Sequence, residues 1–408
     1  MKVAYKYRAN PTPQQVESLE THFQIHANLY NQALETLNES DEWISKYSMF
    51  NKLPNWKKND ANSFDQINSK AAQQTVGRIY RAISGLSELS KKGEKVGSLR
   101  YRNTFTSIEY NQSGFKVENE YVYLHGVGDV PITKHRETSG EIKGVTIKRS
   151  QTGEWSVSVL CEVDTETEIP IEDIHDDSVV GIDVNVENLF ADTEGRKLES
   201  LYKFLKPELE RVRKENRNLS RKQEGSNNWQ KQKRQLAQAY EDLVNKRDDI
   251  LHKLSNWYVE NYDLIAIENV DSKELSENGF GLGKYIRSQA WSRFAEFLEY
   301  KASQAGVRVE QVPPKHTSQD CANPDCDHRE KKSLDERTHD CPDCEFEADR
   351  DVNAAWNVLF KSIERLDYES GIDEVGQGLS ELTPVETETA SGTSIPLSLV
   401  VEAGSPRL

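Results

Sequence analysis

Residues 321–344 read CANPDCDHREKKSLDERTHDCPDC, and the four cysteines in this polar stretch, Cys321, Cys326, Cys341 and Cys344, constrain the fold more than any other feature. A segment so rich in charged and turn-forming residues has almost nothing to bury, so its shape must be held by something other than a hydrophobic core. Two close thiolate pairs can place four sulfurs at the corners of a tetrahedron about Zn2+, whose binding free energy then replaces the missing core. His316, His328 and His339 are nearby alternative ligands. With four protein ligands the ion has no open position, so this zinc is expected to be structural. The fifth cysteine, Cys161, lies apart in the strand-like segment WSVSVLCEV. An odd total with this clustering indicates metal binding in a reducing compartment rather than a disulfide framework.

At 408 residues the chain can hold two or three domains. Nothing approaches 18 consecutive apolar residues, and the start MKVAYKYRANPTP lacks the apolar stretch of a signal peptide. Neither membrane insertion nor secretion is expected, and a cytoplasmic location is. The formal charge of -16 argues at first against a nucleic-acid partner. The charge is uneven, however: basic residues outnumber acidic ones between Leu201 and Ser255, whereas the segment from Leu366 to Pro406 has no Lys or Arg. An acidic surface around basic stretches also suits a halophilic protein, because concentrated salt screens the self-repulsion.

Periodicity divides the chain. KVAYKYRA alternates as a strand, and NPTPQQ supplies Thr12 as N-cap, Pro13 at the first helical position and Gln15 to complete a capping box. Helical spacing continues to about Leu89. Short alternating segments between Leu99 and Asp164, among them SIEYNQ, EYVYLHG and GEIKGVTIKR, predict a small antiparallel barrel. The acidic bridge DTETEIPIEDIHDDS is expected to be solvated. From Ser178 the texture changes to buried strand, turn and second strand, followed by a basic helical hairpin with Leu236, Tyr240, Leu243, Ile250, Leu254 and Trp257 along its seam. The strands DLIAIENV and VRVEQV flank a loop and a helix in which Trp291 and Phe294 are core residues, and the last forty or so residues have the composition of a disordered tail.

Three carboxylates stand where apolar runs stop. VVGIDV ends near Asp183, IAIENV near Glu268, and DRDVNAAWNVL opens a helix with Asp349 and Asp351. Strand ends and a helix start can converge on one crevice, and hard oxygen ligands suit Mg2+. Two such ions can activate water on one side of a phosphodiester and stabilise the leaving oxygen on the other. Each acid also has a plain reading, Asp183 as a turn residue, Glu268 as a solvated strand end and Asp349 or Asp351 as a helix cap, and Asp349 fits a cap as well as a ligand. Asp351 is the preferred ligand because Ala354 and Ala355 would let its helix approach the sheet closely. Arg213, Arg217, Arg221, Lys231, Lys233, Arg234, Arg247 and Lys253, together with Trp229 and Tyr240, can track a phosphate backbone or simply form a solvated helix face. Lys315, His316, Thr317 and Gln319 can touch a nucleic-acid strand beside the cysteines.

GIDVNVENLF, YDLIAIENV and DRDVNAAWNVL resemble the three segments of a split RuvC-like nuclease. With SQAWSRFAEFLEYKASQAGVRVEQVPPKHTSQDC and the cysteine pairs before the third segment, they resemble TnpB, the transposon-encoded relatives of type V CRISPR effectors. The likeness spans roughly residues 1–360. It implies a multidomain α/β protein with a small antiparallel β-barrel: an RNase H-like (RuvC) core with an inserted zinc ribbon and an N-terminal helical lobe. The implied domains are a first barrel (wedge) strand at 1–10, a recognition lobe at 11–95, the barrel at 96–175 and the nuclease core at 176–315. Within that core lies the basic hairpin, 201–258; the ribbon at 316–346, a last core helix at 347–364 and an acidic disordered tail at 365–408 complete the chain. The resemblance further implies that Asp183, Glu268 and Asp351 are the catalytic Mg2+ ligands of an RNA-guided DNA endonuclease. Its partners would be a guide RNA and target DNA, with no small-molecule substrate. A transposase or a non-catalytic nucleic-acid-binding regulator of the same fold is the alternative. The sequence departs from the family in having four residues inside the first cysteine pair, where two are common. Asp327 and Glu345 follow the pairs where glycine is usual, which predicts strained turns.

Overall fold

The computed structural model describes residues 1–58, 62–184, 188–199, 201–269, 281–333, 336–370 and 384, and the side chains of 188, 199, 281–289 and 367–370 are left aside. The loop sequence NGFGLGKY and the acidic tail beyond residue 370 therefore fall largely outside the described residues. The chain forms two compact units, Met1–Asp164 and Thr165–Leu408.

The first unit joins a sheet to three helices. Strands β1 (Lys2–Ala9), β2 (Ser107–Asn111), β3 (Phe115–Val117), β4 (Tyr121–Leu124), β5 (Gly128–Thr133), β6 (Glu141–Arg149) and β7 (Trp155–Glu162) form an antiparallel sheet in the order β2-β6-β7-β1-β5-β4-β3. The order begins and ends on edge strands, so the sheet is a half-barrel and not the closed barrel expected. The alternation of β7 buries Trp155, Val157, Val159 and Cys161 on one face, where Tyr7, Val145 and Ile147 meet them. Helices α1 (Pro13–Asn38), α2 (Lys46–Lys57) and α3 (Ser69–Lys91) build their own core around Leu29, Met49, Val76 and Ile79. The Thr12 capping box forms, Gln15 N donating to Thr12 Oγ1 at 3.3 Å and Thr12 N to Gln15 Oε1 at 3.0 Å.

The second unit is built on a five-stranded sheet: β8 (Val179–Asp183), β9 (Asn188–Asp192), β10 (Lys197–Glu199), β11 (Leu264–Glu268) and β12 (Arg308–Val312), in the order β10-β9-β8-β11-β12. The strands β8, β11 and β12 are parallel, and β9 and β10 extend the sheet as an antiparallel hairpin. Both faces of the central strands are covered, which is why their sequences are continuously apolar. Val180, Ile182, Ile265 and Ile267 pack with α4 (Leu201–Ser220), α5 (Asn227–Asn261) and α6 (Gly281–Ala305), where Trp291 and Phe294 are buried as expected. Val179, Leu264 and Ala266 pack on the other side with α7 (Arg350–Ser370) and with the cysteine segment, whose own strands are β13 (Thr338–Asp340) and β14 (Glu347–Asp349).

Three boundaries differ from expectation. The acidic bridge belongs to the second unit: its acids are exposed, but Ile174 is buried and Ile169 and Ile171 pack beside it. Backbone anchoring accompanies that burial, Ile169 N donating to Gly306 O at 2.9 Å. The helical hairpin runs to Asn261, past the expected 258, because Tyr258 is still fully buried there. The last helix continues to Ser370, beyond the expected 364, and Leu366 remains buried. Among the described residues no helix is long and apolar enough to cross a membrane.

Candidate active site and metal centre

The register of the central strands gathers the acids. In the β8–β11 pair Gly181 lies beside Ala266 and Ile182 beside Ile267, so Asp183 and Glu268 fall one step further at the same ends of adjacent strands. Side chains two residues apart share a face, which puts both acids on the side of Gly181 and Ala266. That side belongs to α7. A Cβ on Gly181 would lie 2.2 Å from Ala355 O and 2.9 Å from Leu359 Cβ, so the helix touches the strand where the side chain is missing. Asp351 stands one helical turn before Ala355 and is thereby carried toward the same end of the sheet.

Each acid has its own environment. Asp183 and Asp351 are 6% and 7% exposed. Glu268 accepts a hydrogen bond from Thr317 Oγ1 at 2.7 Å. Burial pushes its carboxyl above the ordinary value, while that hydrogen bond and the charge of Lys361 act in the opposite sense. Asp349 serves as the helix cap: its Oδ1 accepts from the backbone N–H groups of Asp351 at 2.9 Å and Val352 at 3.3 Å. Its Oδ2 accepts from Lys197 Nζ at 2.7 Å.

The four cysteines form a tighter group, their sulfurs all within 4.8 Å of one another. Among the described residues this is the cluster of three or more metal-ligating side chains drawn so close; the three carboxylates are not. The Cys321–Cys344 and Cys326–Cys341 sulfur separations are both 3.7 Å. A tetrahedron with Zn–S bonds of about 2.3 Å has edges of about 3.8 Å, so the group fits zinc. Burial pushes the Cys344 thiol up, but hydrogen bonds from the Phe346 backbone and the other three thiols outweigh it and bring the thiol to about 7. The histidines stay outside the set: His328 pairs with Asp343 at 2.9 Å, and buried His339 packs near Phe346. Glu345 adopts φ 61°, the left-handed conformation predicted where glycine is usual, whereas Asp327 keeps negative φ. The longer first pair explains the second outcome: Cys326 N donates to Asn323 O at 3.0 Å and Asp325 N to Asn323 Oδ1 at 3.1 Å, so the extra residues close their own turn.

Two residues that sequence reasoning missed join the cysteine segment to α7. Buried Asn353 donates to Asp320 O at 2.8 Å and accepts from Ala322 N at 3.0 Å. One turn on, Asn357 donates to Thr317 O at 2.9 Å and to Asp320 O at 2.8 Å. The signal was two asparagines four apart in the otherwise apolar run VNAAWNVLF of the helix, which demands buried partners. Thr317, considered as a nucleic-acid contact, is instead 2% exposed and engaged with Glu268.

The basic hairpin divides in two. Arg247 pairs with Asp248 at 2.7 Å and Lys253 with Asp249 at 2.9 Å on their own helix. Arg213, Arg217, Arg221, Lys231, Lys233 and Arg234 are exposed near the hairpin tip, and none of these six has an ion-pair partner among the described residues. Lys233 Nζ lies 4.8 Å from the ring centroid of Trp229.

The fold is that of a mixed helix-and-sheet multidomain protein similar to Cas12 effectors. A Cas12f1 chain solved in a Cas12f1–sgRNA–target DNA complex superposes with a TM-score of 0.52 at 16% identity, over 85% of this chain and 82% of that one. Family models described as "Helix-turn-helix domain", "Probable transposase" and "Cas12f1-like, TNB domain" match residues 1–42, 158–279 and 291–358. The first of these covers a strand and one long helix here. The chain belongs to the TnpB family. A Streptomyces pristinaespiralis protein named "Putative RNA-guided DNA endonuclease" is 30% identical over 88% of this chain and 89% of its own length. The Escherichia coli (strain K12) protein of the same description, InsQ, is 29% identical over 87% and 91%.

Proposed function

We propose that this protein is a transposon-associated, RNA-guided DNA endonuclease whose RuvC-like site consists of Asp183, Glu268 and Asp351. The observation that carries the reading is the common face and common end of the sheet shared by two strand-terminal acids and the helix bearing the third. The strand order β10-β9-β8-β11-β12 supports an RNase H-like core, and the names of the two relatives support guided DNA cleavage.

The donor set is all carboxylate, which suits Mg2+. Asp183, Glu268 and Asp351, spaced more widely than the four sulfurs, would hold a pair of such ions between them. Bound there, Mg2+ would supply a nucleophilic water and charge stabilisation at the scissile phosphate. Thr317 holds one oxygen of Glu268, and Asp349 caps α7 so that Asp351 is left to face the sheet end. Zn2+ on Cys321, Cys326, Cys341 and Cys344 would fix the segment that Asn353 and Asn357 tie to that helix. The guide RNA would read the target by base pairing, with the half-barrel, the helical lobe and the hairpin tip contacting backbones.

The test is to express the protein with its flanking DNA, sequence the copurifying RNA and assay a matched plasmid with Mg2+. Cleavage that is abolished by Asp183→Ala supports the reading. Absence of RNA removes the guided mechanism, and undiminished cutting by Asp183→Ala removes the site. The "Probable transposase" match favours strand transfer as the second reading, which predicts joined instead of hydrolysed ends.

A further inference from the structure

The rung that carries Asp183 continues outward across the hairpin. Ala191 pairs with Asp183 between β8 and β9, and with Lys197 between β9 and β10, so the three side chains share one face. Buried Ala191, with only a methyl group, leaves room for the Lys197 stem to run over it toward the start of α7. There the ammonium lies 2.7 Å from Asp349 Oδ2 and 3.6 Å from Asp351 Oδ2. Asp349 is held in place by its capping bonds, whereas the lysine is a flexible point charge that can move between the two carboxylates.

We propose that Lys197 is a positioning residue that stands in for a divalent ion, bridging Asp349 and Asp351 in the metal-free protein so as to offset part of the charge of Asp351, and withdrawing to Asp349 alone when the ion binds. This rests on the reading of Asp183, Glu268 and Asp351 as metal ligands. The physical basis is competition: a like charge a few ångströms from the ion opposes its binding, and taking one positive charge away from a buried carboxylate destabilises the metal-free fold. Asp349 is the parking site that makes the exchange reversible.

The probe is Mn2+ alone, titrated into the full-length, zinc-loaded protein and followed by the free-ion EPR signal, with melting of the metal-free form as a second readout. Lys197→Met is expected to bind Mn2+ about tenfold more tightly and to melt at a lower temperature without it. Asp349→Asn keeps a capping side chain but loses the charge, so it should weaken Mn2+ binding severalfold, and should do so much less in the Lys197→Met background. Unchanged or weaker Mn2+ affinity in Lys197→Met, or an equal effect of Asp349→Asn in both backgrounds, would overturn the inference. If the parent binds no Mn2+, or binds it as well after Asp351→Asn, the proposed metal site itself fails, a result distinct from failure of the lysine's role.

Discussion

Gly181 is the residue at which the smallest change reaches furthest. Its missing side chain is what lets Ala355 O and Leu359 of α7 lie against β8. Gly181→Ala should therefore destabilise the second unit by about 1–3 kcal/mol or more, measured by urea unfolding, and, on the proposed reading of Asp351 as a metal ligand, should lower Mn2+ affinity by moving it. The glycine in VVGIDV is legible in sequence as a point of close approach, but its neighbour is not, since Ala355 comes far later in the chain. His26 illustrates a second kind of invisibility. A histidine on the apolar face of α1 gives no hint of its partner, yet Thr75 Oγ1 lies 2.6 Å from its Nδ1. Thr75 donates to Ala71 O at 3.2 Å, so its oxygen accepts from an Nδ1–H tautomer. Burial, helped by His22, Arg78 and Lys57, pushes the imidazole down to about 3. Below about pH 6.5 the unfolded chain takes a proton that the folded one refuses, so this contribution is complete above that pH and is lost on the way down toward 3. Stability should fall by up to about 1.4 kcal/mol per pH unit across the window, and His26→Gln should flatten the slope between about pH 6 and 4 in denaturant titrations.

Among the elements, the cysteine segment and α7 act as one piece. β14 ends at Asp349, the residue that caps the helix, and Asn353 and Asn357 fasten the helix to residues 317–322. Stripping zinc with a chelator should raise hydrogen exchange in α7 as well as in the cysteine segment, and restoring Zn2+ should reverse both. Confinement of the change to residues 321–344 would show that the two are uncoupled. The cysteines were readable from spacing alone because the stretch has no other means of ordering itself; the asparagine latch was not, because its acceptors are backbone carbonyls of another segment. The helical hairpin was also readable, with one exception. Periodicity assigns Tyr240 to the seam, but it is 40% exposed, while its neighbours Ala239 and Leu243 are buried in the core that α4 also enters. Exchanging Arg217, Arg221, Lys231 and Arg234 for glutamine should weaken nucleic-acid binding and lower the slope of log affinity against log salt by up to about 0.9 per lost duplex contact. An unchanged slope would mark the tip as a solvated surface.

For the molecule as a whole, charge and covalent order set the behaviour. With 68 acidic and 52 basic residues the chain repels itself at low ionic strength. Stability to urea should rise from low to molar KCl, and a flat profile would argue against adaptation to salt. Patterning marked the change from short alternating segments to a continuously apolar strand near Ser178, where β8 begins, although the two units divide earlier, after Asp164. It could not reveal that the half-barrel stays open or that the acidic bridge docks onto the second unit, since both depend on long-range contacts. The sheet end draws on residues 183, 268 and 351, the last supplied by a helix near the close of the described chain. At about 5–20 residues per second, a ribosome needs on the order of ten seconds or more to pass from Asp183 to Asp351. On the proposed reading, every nascent chain spends that interval without its third acid, and a copy cut short by a premature stop codon before α7 lacks both that acid and the cover of one sheet face, and is never armed.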